Sequence, residues 1–190
     1  MNLCEDIEDD KYEAERAEFL ETCEYWAGEV ENNEFENTKG EFENTLLRLA
    51  HIAEQYTHVD FKSLFRGTRG ITRKKATAML KYNRSVTFDM SESVLTSWTT
   101  NPQIAERFAS KNGGVVLQYN TDDLEVFLSF ADLWRRMSRQ EQETYRDIHL
   151  PVEEAEVLVK NPPSLTVTSR NIYRFTPDRR LRDKSGMTDY

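Results

Sequence analysis

A chain of 190 residues with 38% hydrophobic residues, among them 10 Phe, 8 Tyr and 3 Trp, suffices for one domain with a sizeable core. No apolar run approaches the roughly 20 residues that cross a bilayer, and the acidic start MNLCEDIEDD lacks the basic-then-apolar layout of a secretion signal. The net charge of −9 is unevenly spread: residues 1–60 hold 18 Asp/Glu against 4 Lys/Arg, whereas residues 61–190 hold 16 against 21, an asymmetry that bears on partners and long-range fields rather than on fold.

In chain order, Phe19, Leu20, Cys23 and Trp26 fall at helical spacing within a segment from Tyr12 to about Trp26. A second helical face runs from Phe42 to Tyr56 through Leu46, Leu49, Ile52 and Ala53. Between them GEVENNEFENTKG, residues 28–40, reads as a loop because it is polar and rich in Asn and Gly. Residues 1–60 are thus an acidic helical part of the same domain, and residues 61–190 form its core. There the texture changes to short strands: KSLFRGT, SVLTSWTT, GGVVLQYN, EVFLSF, AEVLVK, LTVTSR and IYRFTP. NPQIAERFAS is a short helix, with Asn101 as its cap and Pro102 at its first position. LWRRMSRQEQETYRDI reads as a helix or ordered loop, and Pro162-Pro163 ends the strand that follows the glutamates. Helices first and mainly antiparallel strands after give an α+β class.

Few residues offer themselves for chemistry. Cys4 and Cys23 make neither a disulfide framework nor a zinc spacing, and His51, His58 and His149 are scattered. A reducing cytoplasm follows, with no metal and no membrane partner. No glycine-rich phosphate loop is present. The stretch LPVEEAEVLV stands out, since Glu153, Glu154 and Glu156 crowd the mouth of an apolar strand. Gathered carboxylates repel one another and lose solvation. In an extended strand Glu154 and Glu156 would share a face, with Glu153 and Ala155 on the other. Such a pair serves as a general acid/base couple or a metal site, or is simply a solvated loop.

Three segments taken in order carry more weight than any alone: LFRGTRG with Arg66 and Gly67, LTSWTTNPQIAERFA with Ser97 and Thr99, and EEAEVLV with Glu154 and Glu156. Together they resemble the arginine–serine–glutamate class of mono-ADP-ribosyltransferases, closest in size to its small bacteriophage and bacterial-toxin members. The resemblance spans roughly residues 60–175. It departs at the serine element, which reads Ser97-Trp98-Thr99, with a bulky Trp98 between the hydroxyls. It implies amino-terminal helices packed on a split pair of small antiparallel sheets, with NAD in the cleft between them. It also implies that Glu156 stabilises the electron-poor sugar as nicotinamide departs and that Glu154 holds and deprotonates the acceptor. Arg66 would bind the NAD phosphates or the adjoining ribose. Gly67 would give backbone contact with the nicotinamide amide, and Ser97 would orient Glu156, aided by Thr99. Phe108 either covers the nicotinamide by stacking or packs with Ala105 in the core.

A Glu-x-Glu element of this class goes with arginine acceptors, so a target-protein arginine is the first expectation. Residues 66–84 carry seven Lys/Arg and no acid, and Arg170, Arg174, Arg179, Arg180, Arg182 and Lys184 surround Tyr173 and Phe175. Basic residues among aromatics hold nucleic-acid strands, which makes a nucleic-acid base the alternative acceptor. A non-catalytic interaction module on the same fold, or a metal-dependent hydrolase using the glutamates, are the rival classes. An effector in a host bacterial cytoplasm, bound by a neutralising partner, follows from the resemblance alone.

Overall fold

The structure, a computed structural model, describes residues 3–32, 35–68, 71, 73–89, 94–110, 114–161 and 164–175; side chains at 3–9, 29–32, 35–39, 73, 89 and 110 lie outside that description. In chain order the helices are α1 (Leu3–Asn32), α2 (Phe35–Arg48), α3 (Ala50–Ala53), α4 (Arg73–Tyr82), α5 (Pro102–Ser110), α6 (Phe130–Arg136), α7 (Arg139–Thr144) and α8 (His149–Glu153). The strands are β1 (Ser63–Thr68), β2 (Val86–Asp89), β3 (Leu95–Thr99), β4 (Val115–Asn120), β5 (Glu125–Ser129), β6 (Glu156–Lys160), β7 (Ser164–Val167) and β8 (Ile172–Phe175). The class is α+β with antiparallel sheets.

The chain divides into two compact units, the first comprising Met1–His58 and Phe127–Glu153. Its core is the stripe visible in the sequence: Phe19, Leu20, Cys23, Trp26, Leu46, Leu49, Ile52, Ala53 and Tyr56 are all buried. Burial in this apolar setting pushes the Cys23 thiol well up, so it stays protonated. Residues 28–32 and 35–40 are helical, not the loop that Asn and Gly suggested. Helix α1 continues to Asn32 and α2 begins at Phe35; four glutamates, good helix formers, outweigh the turn signals there. Segment Phe127–Glu153 clusters with these helices, whereas the sequence placed everything after residue 60 in one core. Part-buried Arg16 of α1 ties it down by donating to Glu141 of α7 at 2.8 Å and to the Tyr56 hydroxyl.

The second unit, Val59–Val126 with Glu154–Tyr190, is built on strands. A six-stranded sheet runs β5-β6-β3-β1-β4-β8, and β2 pairs with β7 apart from it. Six residue pairs join β1 to β4, from Ser63↔Asn120 to Thr68↔Val115. Five join β3 to β6, from Leu95↔Lys160 to Thr99↔Glu156. Between these two ladders β1 and β3 share one pair, Phe65↔Thr99. The sheet is therefore pinched at its middle, where the resemblance implied two separate sheets.

Side chains alternate across β1 as the pleat demands. Leu64 packs on one face with Trp98, Val157 and Val159, and Phe65 on the other with Ala105, Ala109 and Val116. Helix α4 and strand β2 fall in a stretch whose charge run hid them. Among the described side chains of α4 only Ala76 and Met79 are buried, a thin stripe in a cationic segment. Asn83 ends that helix in the left-handed region with φ 48°, and Arg84 N–H donates to the Met79 carbonyl at 3.1 Å.

Candidate functional site

Strand β6 begins at Glu156, not at Glu154. Helix α8 ends at Glu153, and Ala155 turns the chain with φ 50°. The strand alternation that placed Glu154 and Glu156 on one face therefore does not hold; Glu154 belongs to the turn. Its backbone is fixed from β3: the buried Thr99 hydroxyl donates to the Glu154 carbonyl at 2.7 Å, and Thr100 N–H to the Ala155 carbonyl at 3.1 Å. An alanine in the left-handed region costs about 1–2 kcal/mol. Replacing Ala155 with Gly is expected to raise stability by about 1 kcal/mol, read as a later denaturant midpoint; an earlier midpoint would refute a strained turn.

Glu156 is 8% exposed and lies beside Thr99 in the β3–β6 register. The residue diagonal to it on the same face is Ser97, whose hydroxyl donates to Glu156 Oε1. Trp98, between the two hydroxyls in sequence, points to the opposite face. There it is buried, and its indole N–H donates to Thr96 Oγ1 at 3.1 Å. Ser97 is exposed, so the Ser97–Glu156 pair lies at the surface of the sheet.

Arg66 is brought to this pair by the pinch in the sheet. Its Nη1 donates to the Ser97 carbonyl at 2.9 Å, beside the single β1–β3 pair. Its guanidinium lies 6.0 Å from the centroid of the Trp98 ring. Half-buried by surface area, it is still surrounded by enough protein that desolvation lowers its pKa to about 10, against the attraction of Glu156. It stays charged at neutral pH. Arg66, Ser97 and Glu156, which are 31 and 59 residues apart in turn, thus form one chain of contacts.

The other expected residues fall into place around them. Gly67 sits under α5: a side-chain carbon there would come within 2.2 Å of the Ala105 carbonyl and 2.7 Å of Ala109 N. Its first duty is close packing of helix on strand. Thr99 is 6% exposed, and its hydroxyl also accepts from Asn101 N–H at 3.0 Å. It positions backbone on both sides of the site. Asn101 caps α5 as expected, accepting from Gln103 N–H at 2.9 Å. Phe108 is 40% exposed, so the seat of α5 is made by Ile104, Ala105 and Ala109 instead. Glu154 faces Arg107 of α5, with 3.8 Å between Oε1 and Nη2. Arg107 was not singled out in the sequence, although its place five residues after the helix start was legible there.

Among the described residues no cluster of three His, Cys, Asp or Glu could hold a metal, and no helix is long and apolar enough to cross a membrane. His51 pairs with Glu15 at 3.1 Å, and His149 lies 3.7 Å from Glu153. Arg69, Pro162, Pro163, Arg179, Arg180, Arg182 and Lys184, singled out in the sequence, lie outside the described residues, as does the side chain of Cys4. Comparison of the chain with protein-family models, curated proteins and solved structures finds no match.

Proposed function

We propose that the chain is an NAD-dependent mono-ADP-ribosyltransferase that moves ADP-ribose to an arginine of a target protein. The observation that carries this reading is the buried Glu156 carboxylate, gripped by the Ser97 hydroxyl beside the Arg66 guanidinium. NAD supplies a ribose activated by its positively charged nicotinamide leaving group. Glu156 stabilises positive charge where it develops on that ribose, and its burial strengthens the effect. Ser97 holds the carboxylate in one orientation. Arg66, with five N–H donors in a planar fork, has the chemistry for the anionic oxygens of the dinucleotide. Its contact with the Ser97 carbonyl sets its direction.

Glu154, whose carboxylate lies 3.8 Å from the Arg107 guanidinium, would hold the incoming guanidinium. Removing a proton from a group with a pKa above about 12 requires a base placed at contact distance. The same reading makes the chain an effector acting inside a bacterial cytoplasm. Incubation with labelled NAD and a cell lysate tests it. Label is expected in the protein fraction, and none with Glu156→Gln; intact NAD and unlabelled fractions would reject the reading.

A nucleic-acid acceptor is the second reading, supported by one specific feature. Tyr82 is 57% exposed, with Lys81 and Arg84 each 5.3 Å from its ring centroid, the elements of a stacking platform for a base. On this reading label appears in nucleic acid and falls steeply with salt, as counterion release requires. Labelling that is flat between low and physiological salt would reject it.

A further inference from the structure

We infer that Trp98 is a positioning residue, whose indole ring holds the Arg66 guanidinium in place for the phosphates of NAD. The inference rests on the transferase reading and adds a residue to which the resemblance gives no role. Neighbouring residues of β3 face opposite ways, so Ser97 and Trp98 serve the site from two sides. Ser97 turns its hydroxyl to Glu156. Trp98 turns its ring to the face where it packs with Leu64 of β1. Arg66, two residues beyond Leu64, brings its guanidinium to 6.0 Å from the ring centroid.

The ring is itself fixed. Its indole N–H donates to Thr96 Oγ1 at 3.1 Å, and that hydroxyl donates on to Asn161 Oδ1 at 2.7 Å. Tyr119 meets the ring edge-on, with centroids 5.5 Å apart and planes at 84°. The Tyr119 hydroxyl in turn donates to the Thr166 carbonyl at 3.0 Å. Such a ring suits the task better than a carboxylate would. Its face attracts the cation through the ring quadrupole and takes no N–H, leaving donors for an incoming phosphate. A carboxylate there would neutralise the fork and compete for those donors. The Ser97 carbonyl engages Nη1 at 2.9 Å. Surrounding protein desolvates Arg66 and lowers its pKa to about 10, and a cation–π contact is strongest where the cation is desolvated.

The experiment replaces Trp98 alone, in the full chain, with tryptophans carrying one, two and three fluorine atoms. Fluorine withdraws electron density from the ring face while keeping the shape of the ring and its N–H. Nicotinamide release is followed against NAD concentration, with thermal melting on the same samples. KM for NAD is expected to rise with each fluorine, reaching about tenfold with three, while kcat and melting stay nearly constant. That split marks lost binding rather than lost chemistry. Trp98→Leu, which removes the face, is expected to raise KM at least as far, with a lower melt from lost packing. A ring that only fills the core gives fluorinated chains with the KM of the unmodified chain, which overturns the inference and leaves the transferase reading standing. A fall in kcat at constant KM overturns it equally. If the unmodified chain releases no nicotinamide, the transferase reading fails and the inference with it.

Discussion

Glu156→Gln is expected to slow nicotinamide release by about 10²- to 10³-fold, the usual loss when one preorganised electrostatic group is removed from a reacting centre. The substitution keeps the shape of the side chain and one oxygen able to accept from the Ser97 hydroxyl. Only the charge disappears. Two consequences separate this from general damage. The fold is expected to persist, because β3 and β6 remain joined by their five residue pairs. Arg66 loses the attraction that now opposes its desolvation, so its pKa moves further below the present value of about 10. Nicotinamide release and thermal melting are measured on the same samples. A normal melt with a rate reduced a hundredfold supports the assignment, whereas an unchanged rate removes Glu156 from the chemistry.

That site was legible in the sequence to the extent that its residues are read as types in an order. Arg66, Ser97 and Glu156 were picked from short segments, and the fold brings all three together. Period-two alternation also contained the answer about Trp98, which must face away from Ser97 and Thr99. The helical stripe from Phe19 to Tyr56 was equally open, because deep burial and a 3.6-residue period reinforce each other.

What stayed hidden depended on backbone states that side-chain identity does not announce. Nothing about an alanine signals φ 50°, so period-two alternation runs on through Ala155 and gives Glu154 a face that it does not have. The exposure of Phe108 escaped for a related reason. Helix α5 approaches β1 through small residues, and the larger ring is left to one side. Helix α4 is obscured because the two buried residues among its described side chains leave almost no periodic signal among so many charges.

Gly67→Ala is expected to destabilise the strand-based unit by about 3 kcal/mol, the upper range for forcing an extra carbon into a packed interior. The reason is what the new carbon meets. At 2.2 Å from the Ala105 carbonyl oxygen and 2.7 Å from Ala109 N, it collides with helix backbone, which has no rotamer to offer. Helix α5 cannot simply lift away, since Asn101 caps it and Thr99 anchors that cap to β3. A loss of this size lowers Tm by roughly 6–12 °C in a chain of this length. The resemblance gave Gly67 a second duty, backbone contact with nicotinamide, and the variant separates the two. If packing is its duty, melting falls, and NAD cleavage per folded molecule falls with it as the adjoining Arg66 shifts. If melting is unchanged while NAD affinity drops, the glycine serves the ligand and the clash is absorbed elsewhere. The distances favour the first outcome, because no side-chain rotation can open the missing space between β1 and α5.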